Sequence, residues 1–352
     1  MNEGNGQDSS GDTLSLVWFS GLSSPSHQPH LVKDLLSAGT LFVIYGESNS
    51  GKTFFALDMA LAVASGASFR GRRTARGLVI YVAGEGANSV RNRVVAYRMT
   101  NPQIQGGIPF AMIPFSVDFL SEEAIDVLIH TIETAEAECG EKAALVIIDT
   151  FARAVARGDE NSAKDVGVAV ALADRIRQSR ETCVGFIHHA GKDASKGARG
   201  SSALRAAVDT EILIEGTSGQ RVATVCKQRD MESGASMPFE LVPVQVDIDA
   251  EDNSAVMSCV VKHCDAEAGQ APAVASLKGK AQRQFLAALR AKATPEAIYS
   301  LPELRLIGKQ MGLSKSTAKY AVDAIVATPY FQPTLGGYRF TDGVQTSSST
   351  QA

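Results

Sequence analysis

The sequence predicts an α/β protein with a mostly parallel sheet covered by helices on both faces, and a small C-terminal winged-helix domain. The first part rests on alternation, because short runs of strand-forming residues are followed by longer segments that are apolar at helical spacing. The short runs are apolar almost throughout, which is typical of parallel strands buried on both faces. The predicted strands are 41–45, 78–83, 144–149, 183–189, 209–216 and 221–229, and the predicted helices are 53–66, 122–138 and 163–180.

The winged-helix prediction rests on the pattern beyond residue 280. Helical segments at 281–292, 302–312 and 314–328 are followed by a hairpin that turns at Gly336-Gly337. Helix, turn, helix and hairpin is the order of a winged helix. Lys315 and Lys319 in the last helical segment are the candidates for contacts with duplex DNA. Many winged helices instead bind protein or only pack against the rest of their chain, and the pattern does not separate these cases.

The charge distribution supports a boundary near the same place. From Gln270 to the C-terminus there are ten Lys and Arg against four Asp and Glu, whereas Met1 to Gly269 holds 24 against 34. A basic end on an acidic body favours an anionic partner such as nucleic acid, although a solvated basic face is equally consistent. The predicted divisions are a disordered segment 1–20, the α/β domain 21–268, a linker 269–280, the winged-helix domain 281–342 and a disordered tail 343–352.

Composition excludes several classes of protein. The chain has 352 residues, of which 45% are hydrophobic and 20% charged, values that exclude a wholly disordered, collagenous or disulfide-scaffold chain. No apolar run reaches the roughly 18 residues of a membrane span, and the polar N-terminus does not resemble a secretory signal. The five cysteines are scattered along the chain. We therefore expect reduced thiols, a cytoplasmic location and no membrane partner.

The strongest motif is a glycine-rich loop between the first predicted strand and its helix. It matches G-x-x-x-x-G-K-[ST], the pattern whose backbone amides surround the phosphates of a nucleotide. We expect it to bind ATP with Mg²⁺, with the ammonium of Lys52 on the β- and γ-phosphates and the hydroxyl of Thr53 on the metal. The alternative is a glycine-rich turn that contains Lys-Thr by chance. The predicted nucleotide-binding residues are Gly46, Glu47, Ser48, Asn49, Ser50, Gly51, Lys52 and Thr53.

Polar residues at the ends of other predicted strands complete a candidate active site. Asp149 ends the third strand and is the candidate to hold Mg²⁺ through water, although such residues also cap helices. Glu85 follows the second strand and can orient the attacking water, or it is an exposed turn residue. His188 and His189 end the fourth strand, where one of them could contact the γ-phosphate and the other, His189 in particular, could be structural.

Three basic segments are candidates for phosphate contacts. Lys227 and Arg229 alternate on one strand, and they either serve the site of a neighbouring subunit or protect a sheet edge. The loop 191–202 is rich in Gly, Ser, Lys and Arg, which suits a single-stranded DNA backbone, and 152–163 is a second candidate loop. Solvated flexible loops are the alternative for both. The residues concerned are Lys192, Lys196 and Arg199 in the first loop and Arg153 and Arg157 in the second.

The order of these motifs resembles that of the RecA-like ATPases, and more narrowly that of the RepA-type hexameric replicative helicases of plasmids and phages. The motifs that carry the resemblance are GESNSGKT, VAGEG, VIIDT, FIHHAGK, RGSS and CKQR, within about residues 20–265. The resemblance implies a RecA-like fold and a homo-oligomeric ring of six subunits, with ATP at the subunit interfaces. It also implies Glu85 as the catalytic glutamate, His188 as the γ-phosphate sensor and either Arg199 or Arg229 as the arginine finger.

Three functions fit these observations. The first is an ATP-dependent ring helicase that translocates on single-stranded DNA in phage or plasmid replication. The second is a DNA-binding regulator whose ATPase switches its assembly, and the third is a recombinase-like ATPase or loader without unwinding activity. A filament-forming recombinase normally has an N-terminal oligomerisation segment, whereas only 40 residues precede the first predicted strand, which argues against the recombinase.

Overall fold

The strands of the protein fall into a large sheet and two small ones. The computed structural model describes residues 18–21, 29–104, 107–190, 202–216, 219–264, 285–286, 289, 297–326, 331–334 and 337–340. The strands are β1 (His30–Val32), β2 (Leu36–Ser37), β3 (Leu41–Gly46), β4 (Leu78–Ala83), β5 (Phe110–Ile113), β6 (Ala143–Asp149), β7 (Cys183–His189), β8 (Thr210–Glu215), β9 (Arg221–Gln228), β10 (Ser236–Ile248), β11 (Ala255–His263), β12 (Ile298–Tyr299), β13 (Phe331–Thr334) and β14 (Gly337–Phe340).

The helices connect the strands of the large sheet, and two more lie near the C-terminus. A 3-10 turn at Phe19–Gly21 precedes them all. The described helices are α1 (Lys52–Ser65), α2 (Ala87–Thr100), α3 (Glu122–Cys139), α4 (Phe151–Ala154), α5 (Ala163–Arg180), α6 (Ser202–Ala207), α7 (Leu301–Gln310) and α8 (Lys315–Val326). None of the described helices is long and apolar enough to cross a membrane.

The large sheet has nine strands in the order β11-β10-β9-β8-β3-β7-β6-β4-β5. The strands from β8 to β5 in this order are parallel, whereas β9, β10 and β11 pair in antiparallel fashion. Every residue of β3 and β4 is buried, as expected for strands covered on both faces. The predicted mixed α/β fold, with a mainly parallel sheet flanked by helices, is therefore confirmed.

Two hydrophobic clusters cover opposite faces of this sheet. One contains Phe55 and Met59 of α1 together with Val90 of α2. The other contains apolar residues of α3 and α5, such as Ile125 and Ile176. Alternate strand side chains point to opposite faces, so neighbouring residues of one strand enter different clusters. This packing fixes the strands, and the parallel strands β3, β4, β6 and β7 all end at the same edge of the sheet.

The predicted bounds of helices and strands match the observed ones closely where the apolar pattern is strong. Where the pattern is weak, elements were not predicted. The segments 78–83, 163–180 and 183–189 are predicted to the residue. The elements that the sequence did not predict are short, half-buried or interrupted. In α2 only Val90 and Ala96 are buried, which leaves little periodicity to detect. Strand β10 contains two prolines, Pro238 and Pro243, which argue against a strand in a sequence.

The C-terminal elements include the two helices and the hairpin that the sequence predicts. The helix α7 begins with a capping box, in which Ser300 and Glu303 satisfy each other's backbone donors. Strands β13 and β14 form the hairpin, and β12 adds a third strand on the other side of β14. Phe285, Leu304 and Phe340 are among the residues of their shared core. The winged-helix assignment and the domain boundaries stay predictions, and most of 281–292, the linker and the tail lie outside the described residues.

Candidate nucleotide-binding site

The glycine-rich loop joins β3 to the first turn of α1. A Cβ on Gly46 would lie 2.3 Å from the carbonyl oxygen of Ile214, so only glycine fits where the loop leaves the sheet. Gly51 caps the helix with a φ of 95°, a conformation that favours glycine. Ser50 is buried, and its hydroxyl has no hydrogen-bond partner among the described residues. The loop therefore presents a helix N-terminus and an unsatisfied hydroxyl, which fits an anionic group such as phosphate.

Lys52 places a cation inside this loop. Its side chain is 6% exposed, and its ammonium donates hydrogen bonds to the carbonyls of Gly46 at 3.1 Å and Glu47 at 2.7 Å. Burial lowers the pKa of Lys52, while the nearby carboxylates of Asp149 and Glu85 act in the opposite direction. Backbone carbonyls therefore hold the ammonium inside the loop. The sequence motif predicts that it contacts phosphate oxygens from this position.

Asp149 ends β6 beside the loop and is almost completely buried. Its carboxylate accepts hydrogen bonds from the hydroxyl of Tyr81, at 2.8 Å, and from the side chain of Thr53. Burial raises the pKa of Asp149, and these two hydrogen bonds oppose the rise. Mg²⁺ prefers oxygen ligands and retains several water molecules. A threonine hydroxyl and a carboxylate in contact, both at the base of one cavity, fit this ion.

Glu85 lies on the other side of Asp149, just beyond β4. Its backbone N–H donates to the carbonyl of Asp149 at 3.2 Å, and its carboxylate accepts from the hydroxyl of Thr150 at 3.4 Å. The side chain is exposed to the cavity rather than buried in the sheet. A Cβ on the preceding Gly84 would be only 3.2 Å from Ser116, so close packing holds the backbone that carries Glu85. The carboxylate is therefore placed near Asp149 and still accessible to water.

These residues surround one cavity of about 570 Å³. Most of the predicted loop lies in its wall, together with Asp149 and Glu85, and these positions come from three separate segments of the chain. Sequence reasoning missed about half of the lining, because the missed residues belong to α2, to β9 and β10, and to the ends of other elements. The lining residues are Ser48, Asn49, Gly51, Lys52, Thr53, Phe54, Glu85, Gly86, Ser89, Arg93, Asp149, Thr150, Ile187, His189, Arg221 and Leu241.

The two consecutive histidines point to different places. His189 lines the cavity, whereas His188 is 0% exposed and lies against the ring of Phe151, with 5.1 Å between the ring centroids. This follows from the alternation of side chains along β7. The resemblance implies a γ-phosphate contact for His188, but the structure brings His189 to the cavity and places His188 within the core beneath it.

Two arginines that the sequence analysis did not select lie in the cavity wall. Arg93 of α2 packs over the ring of Phe54, 4.1 Å from its centroid, and burial lowers its pKa. Arg221 begins β9, and its side chain packs against Gly51. The sequence does show that Arg221 starts a strand. The sequence does not show that this strand runs antiparallel to β8. That direction brings Arg221 to the edge of the sheet where the glycine-rich loop lies.

The same antiparallel pairing takes Lys227 and Arg229 to the opposite edge of the sheet. Gln228 pairs with Thr210, at the start of β8, whereas the glycine-rich loop adjoins the other end of that strand. The ammonium of Lys227 donates to the carbonyls of Arg205, Ala206 and Val208 at 2.7, 3.3 and 2.6 Å. Arg229 forms an ion pair of 2.9 Å with Asp209. Neither residue is therefore part of the cavity in its own chain.

The predicted DNA contacts fall in several places. Arg153 and Arg157 are exposed in the segment after β6, and Arg157 forms an ion pair of 3.4 Å with Asp118. Lys319 is exposed on α8, which begins at Lys315. The remaining predicted contacts, Lys192, Lys196 and Arg199, lie outside the described residues. The structure brings Arg153 and Arg157 to the same edge of the sheet as Glu85, because both segments follow parallel strands.

The α/β sheet and its glycine-rich loop define a P-loop nucleotide-binding protein, and sequence comparison names its family. A family model described as an AAA domain matches residues 9–195, which is more than half of the chain. The chain belongs to this AAA-domain family of ATPases. No curated protein matches it.

Proposed function

We propose that the protein hydrolyses ATP with Mg²⁺ in the cavity between β3, β4 and β6. The observation that carries this proposal is the convergence of Lys52, Thr53, Asp149 and Glu85 on one cavity. These four side chains supply a phosphate-binding cation, two oxygen donors for a metal and a carboxylate that reaches water. Together they make up the set that phosphoryl transfer to water requires.

Each residue has a separate role in this reaction. The backbone amides of the loop and the N-terminus of α1 bind the phosphates, and the Lys52 ammonium neutralises part of their charge. Thr53 and Asp149 would hold Mg²⁺, which when bound would supply positive charge to stabilise the phosphates during transfer. The Glu85 carboxylate accepts a proton from the attacking water and is itself oriented by Thr150. His189, in the same wall, takes the position of γ-phosphate sensor.

We infer that this ATPase drives a ring helicase that translocates on single-stranded DNA in phage or plasmid replication. The resemblance to the RepA-type helicases supports a homo-hexamer with ATP at its interfaces. The position of Arg229 also supports an interface role, since an arginine at the far edge of the sheet can reach ATP only in a neighbouring subunit. Arg153 and Arg157 follow the strand that carries Asp149, so DNA bound there is close to the site of hydrolysis.

A second candidate is an ATP-switched DNA-binding regulator or loader without unwinding activity. The basic C-terminal part, with the exposed Lys319 on α8, favours it, because a duplex-binding domain is sufficient for regulation. The two proposals make different predictions for forked DNA, since only the helicase separates its strands.

The test is unwinding of forked duplexes that carry either a 3′ or a 5′ single-stranded tail. For the helicase we expect ATP-dependent strand separation with one tail polarity, no separation of a blunt duplex, and none by Lys52→Ala. ATP hydrolysis without separation of any fork would contradict the helicase proposal, and ATP-modulated duplex binding in the same experiment would favour the regulator.

A further inference from the structure

We propose that Tyr81 is a positioning residue that orients the Asp149 carboxylate for Mg²⁺. The phenol ring lies in β4 and is fully buried, and its hydroxyl donates to Oδ2 of Asp149 at 2.8 Å. Ala83 pairs with Asp149 across β4 and β6, and Tyr81 is two residues earlier on the same face. The inference rests on the proposed function, because it assigns Asp149 to the metal.

The hydroxyl of Tyr81 is not needed for packing. The ring packs in the apolar cluster on this face of the sheet, with the ring of Phe110 6.2 Å away, and a phenylalanine would fill the same space. Burying a hydroxyl in such a place costs free energy unless it is hydrogen-bonded. Its bond to Asp149 meets that requirement, so the polar atom is directed at the carboxylate.

The carboxylate of Asp149 needs an external constraint. The last torsion of an aspartate side chain is broad, so the two oxygens can rotate unless donors fix them. Thr53, in the first turn of α1, is one donor, but it is itself a candidate metal ligand. Tyr81 is fully buried in β4, between β5 and β6, and it is not a candidate metal ligand, so its hydroxyl stays on the carboxylate when a metal binds. Partners of this kind, which hold a metal ligand without touching the metal, strongly affect metal affinity.

Arg93 connects this hydrogen bond to α2. It is close enough to both Tyr81 and Asp149 to interact with them electrostatically, and its guanidinium packs over Phe54, the residue after Thr53. The cation partly compensates the negative charge of a carboxylate buried with a phenol. Tyr81 and Arg93 therefore both act on the candidate metal ligand, Tyr81 through a hydrogen bond and Arg93 through its charge.

The test measures how strongly Mg²⁺ couples to ATP binding, without using hydrolysis. A fluorescent ATP analogue is titrated into wild type and Tyr81→Phe, in excess EDTA and in excess Mg²⁺. We expect equal affinities without metal, and roughly ten-fold weaker binding by Tyr81→Phe with Mg²⁺, as for other partners of metal ligands. Tyr45→Phe is the matched control, since Tyr45 is a buried strand tyrosine whose hydroxyl contacts Cys226, and we expect its affinities to equal those of wild type.

A double-variant cycle separates positioning from a structural role. If Tyr81 acts through Asp149, the substitution has no further effect on Mg²⁺ coupling in an Asp149→Asn background. Wild-type coupling in Tyr81→Phe would overturn the proposal, as would a loss of affinity of equal size with and without metal. If wild type itself fails to bind the analogue in either condition, the proposed ATPase function fails first and this inference fails with it.

Discussion

Glu85 and Asp149 lie at the ends of the neighbouring strands β4 and β6, but their carboxylates have different surroundings and therefore different roles. Asp149 is buried and held by two hydroxyl donors, whereas Glu85 is exposed to the cavity with one weak contact from Thr150. A held carboxylate suits a metal, and an accessible one suits a water molecule. The difference in burial follows from position along the chain. Asp149 is the last residue of β6, whereas Glu85 lies two residues beyond the end of β4.

Replacement of Glu85 by glutamine tests its role as general base. An amide keeps the shape but cannot accept the proton, so we expect ATP binding to be retained and turnover to fall by roughly a hundred-fold or more. Binding and steady-state hydrolysis are measured on the same preparation. Glu138→Gln, an exposed change on α3, is the control. Unchanged turnover in Glu85→Gln would remove Glu85 from the mechanism.

Substitution of His189 is expected to affect turnover, whereas substitution of His188 is expected to affect stability. His189→Ala should lower ATP turnover with little change in thermal stability, because its side chain lies in the cavity wall. His188→Ala should lower the free energy of unfolding by about 2–4 kcal/mol, because it leaves a space in the core beside Phe151. Denaturant unfolding and hydrolysis assays distinguish them. A His188→Ala protein of normal stability with reduced turnover would assign the γ-phosphate contact to His188 instead of His189.

At the scale of elements, the sequence predicted the parallel half of the sheet better than the antiparallel half. Strands β4 and β6 are almost entirely apolar and bounded by clear turns, so their ends were predicted, and with them Glu85 and Asp149. Strand β9 was predicted, but its direction is set by pairing with β8 and β10 and is not encoded in its own pattern. Arg221 was missed and Lys227 selected for this one reason.

The end of β9 gives a prediction about assembly. Arg229→Ala leaves the cavity of its own chain intact, so we expect normal ATP binding and a loss of hydrolysis on the order of 10³-fold if the arginine acts on a neighbour's ATP. Mixing it with Lys52→Ala subunits should restore part of the activity, because some interfaces then pair an intact loop with an intact arginine. No restoration at any mixing ratio would contradict a role across the interface.

At the scale of the whole molecule, the basic C-terminal part is joined to an acidic body, a difference that composition shows and the fold of the sheet does not require. The charge difference between the two parts follows from residue counts alone, without knowledge of the capping box of α7 or of the three-stranded sheet. What the sequence could not supply is the surface that α8 presents, because that depends on the packing of its apolar residues.

Charge reversal on α8 tests whether this part binds DNA. Lys319→Glu should weaken duplex binding and reduce the dependence of log affinity on log salt concentration by about 1, while ATP hydrolysis without DNA stays unchanged. Lys309→Glu changes the net charge equally from α7 and is the control. Equal losses in the two variants would indicate a general charge effect instead of a contact by α8.

If the loop from Gly46 to Thr53 binds the triphosphate of ATP, removal of the Lys52 ammonium weakens that binding, and calorimetric titration measures the change. Wild type is titrated with ATP in the presence of Mg²⁺ beside Lys52→Ala, whose unfolding is checked to match. We expect one site per chain in wild type and binding weaker by about ten-fold or more in the variant, since a charge-assisted contact is lost. Absence of binding in wild type, or equal affinity in the two proteins, would contradict it.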